Sequence, residues 1–192
     1  MGGGFDPLHN GHMAIIDHVA NHPHVDRVCL IPTGLPVYKP KTYFSASVRL
    51  SMLDAVTHAW PHVDVLAYEV ERVGVSYTVD TLAYLMKQYT PSALTLVVGV
   101  DQWYQFHRWR RYQHILQHHD VWVVSRDGMD VPTLKAKLPQ ELQPYVHRFQ
   151  FQDLVPPNVS STQLRMMLQQ GKPIDAWVPP AVADIVHDAR WL

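Results

Sequence analysis

Residues 2–12 read Gly2-Gly3-Gly4-Phe5-Asp6-Pro7-Leu8-His9-Asn10-Gly11-His12, and the rest of the chain is best read outward from this stretch. Consecutive glycines let the backbone approach a ligand closely, because no Cβ stands in the way. Asp6-Pro7 sets a turn. His9 and His12 then lie three residues apart at the start of a helical pattern, so both imidazoles can project from one side of its first turn. A helix N-terminus offers unpaired N–H groups and the positive end of a dipole, and both favour an anion. Two imidazoles there add donors without bulk, which makes the stretch a candidate phosphate site. The spacing matches neither G-x-G-x-x-G nor a Walker loop, so the two common nucleotide motifs do not apply.

Strands and helices alternate beyond this turn. Met13, Ile15, Ile16 and Val19 share a face, which predicts a helix over 13–21. Strands are expected at 25–31, 63–67, 94–98, 121–124 and 146–151. Helices are expected at 45–58, 78–88, 133–142, 161–170 and 180–188, and the aromatic run 101–117 reads as largely helical. Residues 34–44, with Pro36 and Pro40, read as a loop. Continuous apolar strands between helices predict an α/β fold with a doubly wound, mainly parallel sheet covered on both faces. In such sheets ligands bind beyond the carboxyl ends of the strands. The first strand is normally central and feeds the glycine turn; only Met1 precedes Gly2, so this strand is expected to be truncated. One domain over residues 1–192 is expected, with the C-terminal helical part, about 160–192, packed on it.

A second stretch, Val159-Ser160-Ser161-Thr162-Gln163-Leu164-Arg165, also suits phosphate. The serines can cap the following helix, and its exposed N–H groups and hydroxyls can meet phosphate oxygens. Arg165 lies one turn in, where a guanidinium can make a bidentate contact.

Together these two stretches resemble the signatures of the nucleotidyltransferase superfamily that carries an H-x-G-H motif, the second matching I-S-S-T-x-I-R. Gly4 stands where that superfamily has Thr, which removes one hydroxyl near the phosphates. The resemblance implies a Rossmann-like nucleotidyltransferase fold and direct in-line attack of an acceptor phosphate on the α-phosphorus of ATP. It implies catalytic roles for His12 and His9. ATP and its phosphates would be held by Gly3, Gly4, Phe5, Asp6, Ser160, Ser161, Thr162 and Arg165. Lys39 joins them from Pro32-Thr33-Gly34-Leu35-Pro36-Val37-Tyr38-Lys39, which resembles an I-P-x-x-x-P-x-H-K loop with Tyr38 in place of His.

The middle of the chain bears on the acceptor. Ser76-Tyr77-Thr78-Val79-Asp80-Thr81-Leu82 and the Gly99-Val100-Asp101 segment with Trp109 resemble segments of bacterial nicotinate-mononucleotide adenylyltransferases, and Trp177-Val178-Pro179 to Leu192 is similar to their closing helix. The resemblance implies transfer of AMP from ATP to nicotinate mononucleotide, giving deamido-NAD and pyrophosphate in NAD biosynthesis. Ser76, Tyr77, Thr78, Asp101, Trp109 and Arg110 would bind the acceptor, with Trp109 stacked on the pyridine ring. Mg²⁺ is implied with ATP, and such sites use few protein ligands. Phosphopantetheine or nicotinamide mononucleotide as acceptor, and a nucleotide-binding protein without catalysis, are the alternatives.

Composition sets the outer limits. Hydrophobic residues make up 47% and charged residues 17% of the chain, and the formal net charge is −1. With no lysine-rich run, nucleic acid is not an expected partner. The longest apolar runs are too short for a bilayer, so no membrane partner is expected either. Cys29 is the single cysteine and cannot form an internal disulfide, and no signal peptide pattern opens the chain. A cytoplasmic location is therefore expected. The sequence leaves room for a homo-oligomer. Of thirteen histidines, His18 and His22 have the i,i+4 spacing that can hold a metal. No Cys or carboxylate completes that set, so surface histidines are the favoured reading and no protein-held metal is expected.

Overall fold

A computed structural model of the chain describes residues 1–34, 42–125, 131–152 and 154–189. In chain order the elements are β1 (Gly2–Gly3), α1 (Asn10–Ala20), β2 (Val28–Pro32), α2 (Ala46–Thr57), β3 (Val63–Val65), α3 (Thr78–Tyr89) and β4 (Thr95–Gly99). They continue with α4 (Val100–Tyr104), α5 (Tyr112–His118), β5 (Asp120–Val124), α6 (Val131–Ala136), β6 (Phe149–Gln152), α7 (Ser161–Gln169) and α8 (Pro180–Ala189). The chain forms two compact units, one of Met1–Val75 with Pro156–Leu192 and one of Ser76–Val155. Each carries a three-stranded sheet in which every pairing is parallel.

In the first unit the strand order is β1-β2-β3. Gly2 pairs with Ile31 and Gly3 with Pro32, and Val28 and Leu30 pair with Val63 and Val65. The ladder runs one residue back from β1, because the Ile31 N–H donates to the Met1 carbonyl at 3.0 Å. The continuous apolar run of β2 buries Val28, Leu30 and Ile31, as expected for a strand covered on both faces. Ile15, Ile16 and Val19 of α1, Met52, Leu53 and Val56 of α2, Leu164 and Leu168 of α7, and Val182 and Val186 of α8 complete this core at helical spacing. The C-terminal helices α7 and α8 thus belong to the same unit as the N-terminal glycines, and α8 packs on α2.

In the second unit the order is β4-β5-β6, with Leu96 opposite Val121 and Val123 opposite Phe151. Its core gathers Val79 and Leu82 of α3 with Leu96, Trp103, Phe106, Ile115, Val121, Leu142 and Phe149. Trp103 is fully buried and presents its ring edge-on to Phe149 and Phe151.

One helical expectation is borne out with breaks, and another is corrected. The aromatic run 101–117 breaks into α4, a 3₁₀ turn over Phe106–Arg108, and α5. Arg111 adopts φ 54°, a left-handed conformation that no right-handed helix continues through. The helix expected over 133–142 ends at Ala136, and a 3₁₀ segment, Gln140–Arg148, follows Pro139. Proline has no N–H to continue the ladder.

Candidate active site

The glycine turn is shaped by what crowds it. A Cβ on Gly3 would lie 3.1 Å from the Phe5 ring. Phe5 is buried and holds φ at 47°, a conformation uncommon for a bulky residue. Next comes Asp6, also buried, whose two carboxylate oxygens accept the N–H groups of Tyr43 and Phe44 at 2.8 Å each. The Asp6 side chain therefore holds the segment leading into α2.

His9 is the N-cap of α1 and carries extended backbone angles. Its Nδ1 accepts the His12 N–H at 3.3 Å, so in the neutral ring the proton resides on Nε2, where it can be donated. The His9 and His12 rings stack at 3.7 Å between centroids, and Phe5 lies 5.0 Å from His12. Both histidines are buried.

The start of α7 meets this turn. Ser160 caps α7 reciprocally with Gln163. The Ser161 hydroxyl donates to the Pro7 carbonyl at 3.0 Å, across 154 residues of sequence. Arg165 Nη1 donates to the Asp6 carbonyl at 2.8 Å and lies 3.8 Å from its carboxylate, while Nη2 donates to Thr162 Oγ1 at 3.0 Å. Two helix N-termini thus meet at Asp6-Pro7.

Arg49 supplies a further cation. Its Nη1 donates to the carbonyls of Gly4 at 2.9 Å and Thr33 at 2.8 Å, tying the glycine turn to the end of β2. Burial pulls this guanidinium below its usual range, and the Asp6 charge opposes that pull. The sequence carries a signal for this: Arg49 shares the face of α2 that buries Met52, Leu53 and Val56, and a buried arginine on a core face needs acceptors. Two guanidinium groups, two imidazoles and two helix N-termini around one carboxylate make this corner suited to an anion.

The second unit holds the residues expected at the acceptor. Ser76 is buried, Tyr77 is the N-cap of α3, and Thr78 is its first residue. The Arg110 guanidinium lies 4.5 Å above the Tyr77 ring. Trp109 stacks on Phe106 at 4.7 Å between centroids with 22° between planes. Asp101 lies in the first turn of α4, just past the carboxyl end of β4, and a Cβ on Gly99 would lie 2.6 Å from its Oδ1. Lys39 and Tyr38 lie outside the described residues.

Residues 1–167 match the cytidylyltransferase-like family model. The chain belongs to the cytidylyltransferase-like family. It is 33% identical over 187 residues to a Desulfitobacterium hafniense protein named "Probable nicotinate-nucleotide adenylyltransferase", covering 95% of this chain and 88% of that one. A Neisseria meningitidis protein of the same name is 31% identical over 194 residues, covering 97% and 94%. Among solved structures, Plasmodium falciparum nicotinic acid mononucleotide adenylyltransferase complexed with NaAD aligns with a TM-score of 0.73 at 15% identity, covering 97% of this chain and 92% of that one. That likeness shows the α/β nucleotidyltransferase fold.

Membership of the cytidylyltransferase-like family bears out the resemblance read from the H-x-G-H stretch. The geometry also accounts for the glycine of that motif. A Cβ on Gly11 would lie 3.1 Å from the His9 ring and 3.2 Å from the Pro157 carbonyl oxygen. Gly-to-Ala inside a helix ordinarily stabilises by up to about 1 kcal/mol. Gly11→Ala is expected to do the reverse, costing about 1–3 kcal/mol by overpacking and moving the His9 ring. Urea unfolding measures this; a raised midpoint would remove the crowding argument.

Proposed function

We propose that the protein is a nicotinate-nucleotide adenylyltransferase, which transfers the AMP moiety of ATP to nicotinate mononucleotide and releases pyrophosphate. The observation that carries the reading is the meeting of the His9–His12 turn with Ser161 and Arg165 of α7 at Asp6-Pro7. Full-length relatives bearing this name support the choice of substrates.

In this reading an oxygen of the acceptor phosphate attacks the α-phosphorus of ATP in line, the P–O bond to the pyrophosphate breaks, and no protein nucleophile intervenes. His12 donates to the α-phosphate as charge builds on it. His9, Arg165 and the amides of Ser161 and Thr162 hold the β- and γ-phosphates. Catalysis comes from positioning and charge stabilisation. Magnesium enters with ATP as part of the substrate. The Asp6 carboxylate is committed to the amides of Tyr43 and Phe44 and is not free to ligate the ion. Trp109 stacks on the pyridine ring from the face that Phe106 does not cover, and N–H groups near Thr78 and Arg110 receive the nicotinate carboxylate. A reducing cytoplasm suits the lone Cys29.

Pyrophosphate release from ATP with nicotinate mononucleotide, nicotinamide mononucleotide or phosphopantetheine tests the reading. Nicotinate mononucleotide is expected to turn over fastest, and preferential use of phosphopantetheine would overturn the assignment. Trp109→Ala is expected to raise the KM for the mononucleotide about 5- to 150-fold, the equivalent of about 1–3 kcal/mol of stacking, and to leave the KM for ATP nearly unchanged.

A further inference from the structure

Thirteen histidines are more than the phosphate chemistry uses. The i,i+4 pair noticed in the sequence, His18 and His22, has ring centroids 6.5 Å apart. A second pair with the same spacing lies on α5, where the His114 and His118 rings approach to 4.4 Å at 44°.

The hydrogen bond of the His118 ring suits metal ligation. His118 Nδ1 lies 2.9 Å from the His114 carbonyl oxygen. A carbonyl only accepts, so in the neutral ring Nδ1 carries the proton and Nε2 keeps a lone pair. Metal-bound histidines usually anchor their second nitrogen in this manner. The next residue, His119, repeats the arrangement, with Nδ1 3.2 Å from the Leu94 carbonyl. All three rings line one groove of about 240 Å³, opposite Val79, Leu82 and Met86 of α3. The cation nearest His114 is Arg111. Arg148, the other cation near His119, is paired with Asp120 at 3.1 Å.

We propose that His114 and His118 form a binding site for a divalent transition-metal ion of the zinc class, held by two imidazole nitrogens and completed by water. Among the described residues no three His, Cys, Asp or Glu side chains gather to hold a metal, so the pair supplies two ligands. Imidazole selects zinc, nickel or copper over magnesium, and this site is therefore separate from the ion that travels with ATP.

Calorimetric titration of the full chain with Zn²⁺ at about pH 7.5 tests the proposal. One site per chain is expected, with no competition from Mg²⁺. His114→Ala and His118→Ala should each weaken it at least about tenfold. A His18→Ala/His22→Ala variant should bind as wild type. At about pH 5.5 binding should fall, because the ligands must lose their protons. His114 and His118 are exposed, so their variants should keep the wild-type far-UV circular dichroism. Undiminished binding in a His114→Ala/His118→Ala double variant would overturn the proposal. So would absence of zinc binding in the wild type, or loss of the site with His18 and His22.

Discussion

Replacing His12 by alanine is expected to lower kcat about 10²- to 10³-fold while the KM for each substrate moves only a few-fold, the pattern seen when a donor that acts in the transition state is removed. The expectation rests on placement. His12 lies in the first turn of α1, where the helix dipole already favours negative charge, and its ring is held by stacking on His9 at 3.7 Å. A donor fixed in advance stabilises developing charge without reorganising during the reaction. Because the ring is buried, alanine also leaves a cavity, so the kinetic effect needs separating from damage to the fold. His12→Gln retains much of the volume and an N–H donor, and should recover part of kcat. Steady-state pyrophosphate release with far-UV circular dichroism on both variants makes the measurement. An unchanged kcat in His12→Ala would take His12 out of the chemistry.

The largest effect on stability is expected at Asp6. Its carboxylate satisfies the N–H groups of Tyr43 and Phe44 and faces Arg165 at 3.8 Å. Asp6→Ala leaves the buried Phe44 amide without its acceptor and the Arg165 guanidinium without its counter-charge. Charge-assisted hydrogen bonds of this kind contribute about 1.5–3 kcal/mol each, so the loss should be about 3–5 kcal/mol in total. For a chain of this size that corresponds to a fall in Tm of very roughly 6–20 °C. Asp6→Asn keeps one oxygen acceptor and should fall between wild type and alanine. Thermal unfolding followed by circular dichroism decides it. A shift below about 2 °C for Asp6→Ala would show that the two amides find other partners.

The apolar strands were legible in the sequence because a run such as Leu94-Thr95-Leu96-Val97-Val98 has few other uses, and it is found in β4, Thr95–Gly99. The Ser160 cap was legible for the same reason: serine before an apolar helical face is a local signal with a local cause, and Gln163 completes it as a capping box. The start of α1 was less so. His9 caps it, and histidine is not among the residues that announce a cap. The break before α5 carried no warning either, since Arg111 takes a left-handed conformation without being Gly, Asn or Asp. Around the candidate site, the residue types were readable and their long-range partners were not. Nothing near Asp6 in sequence indicates that its acceptors are filled from Tyr43 and Phe44, or that Arg49 bridges Gly4 and Thr33. Those bonds depend on how distant segments meet, which a local pattern does not encode.

The first unit draws on both ends of the chain, whereas the second is one uninterrupted stretch, Ser76–Val155. During synthesis on the ribosome the glycine turn is therefore made long before the helix that completes it. Asp6 emerges 159 residues ahead of the Arg165 that grips its carbonyl. Until then the nascent protein carries histidines and glycines with no opposing helix, while the whole inserted stretch has already been translated. The corner around Asp6 therefore assembles only once translation has passed Arg165.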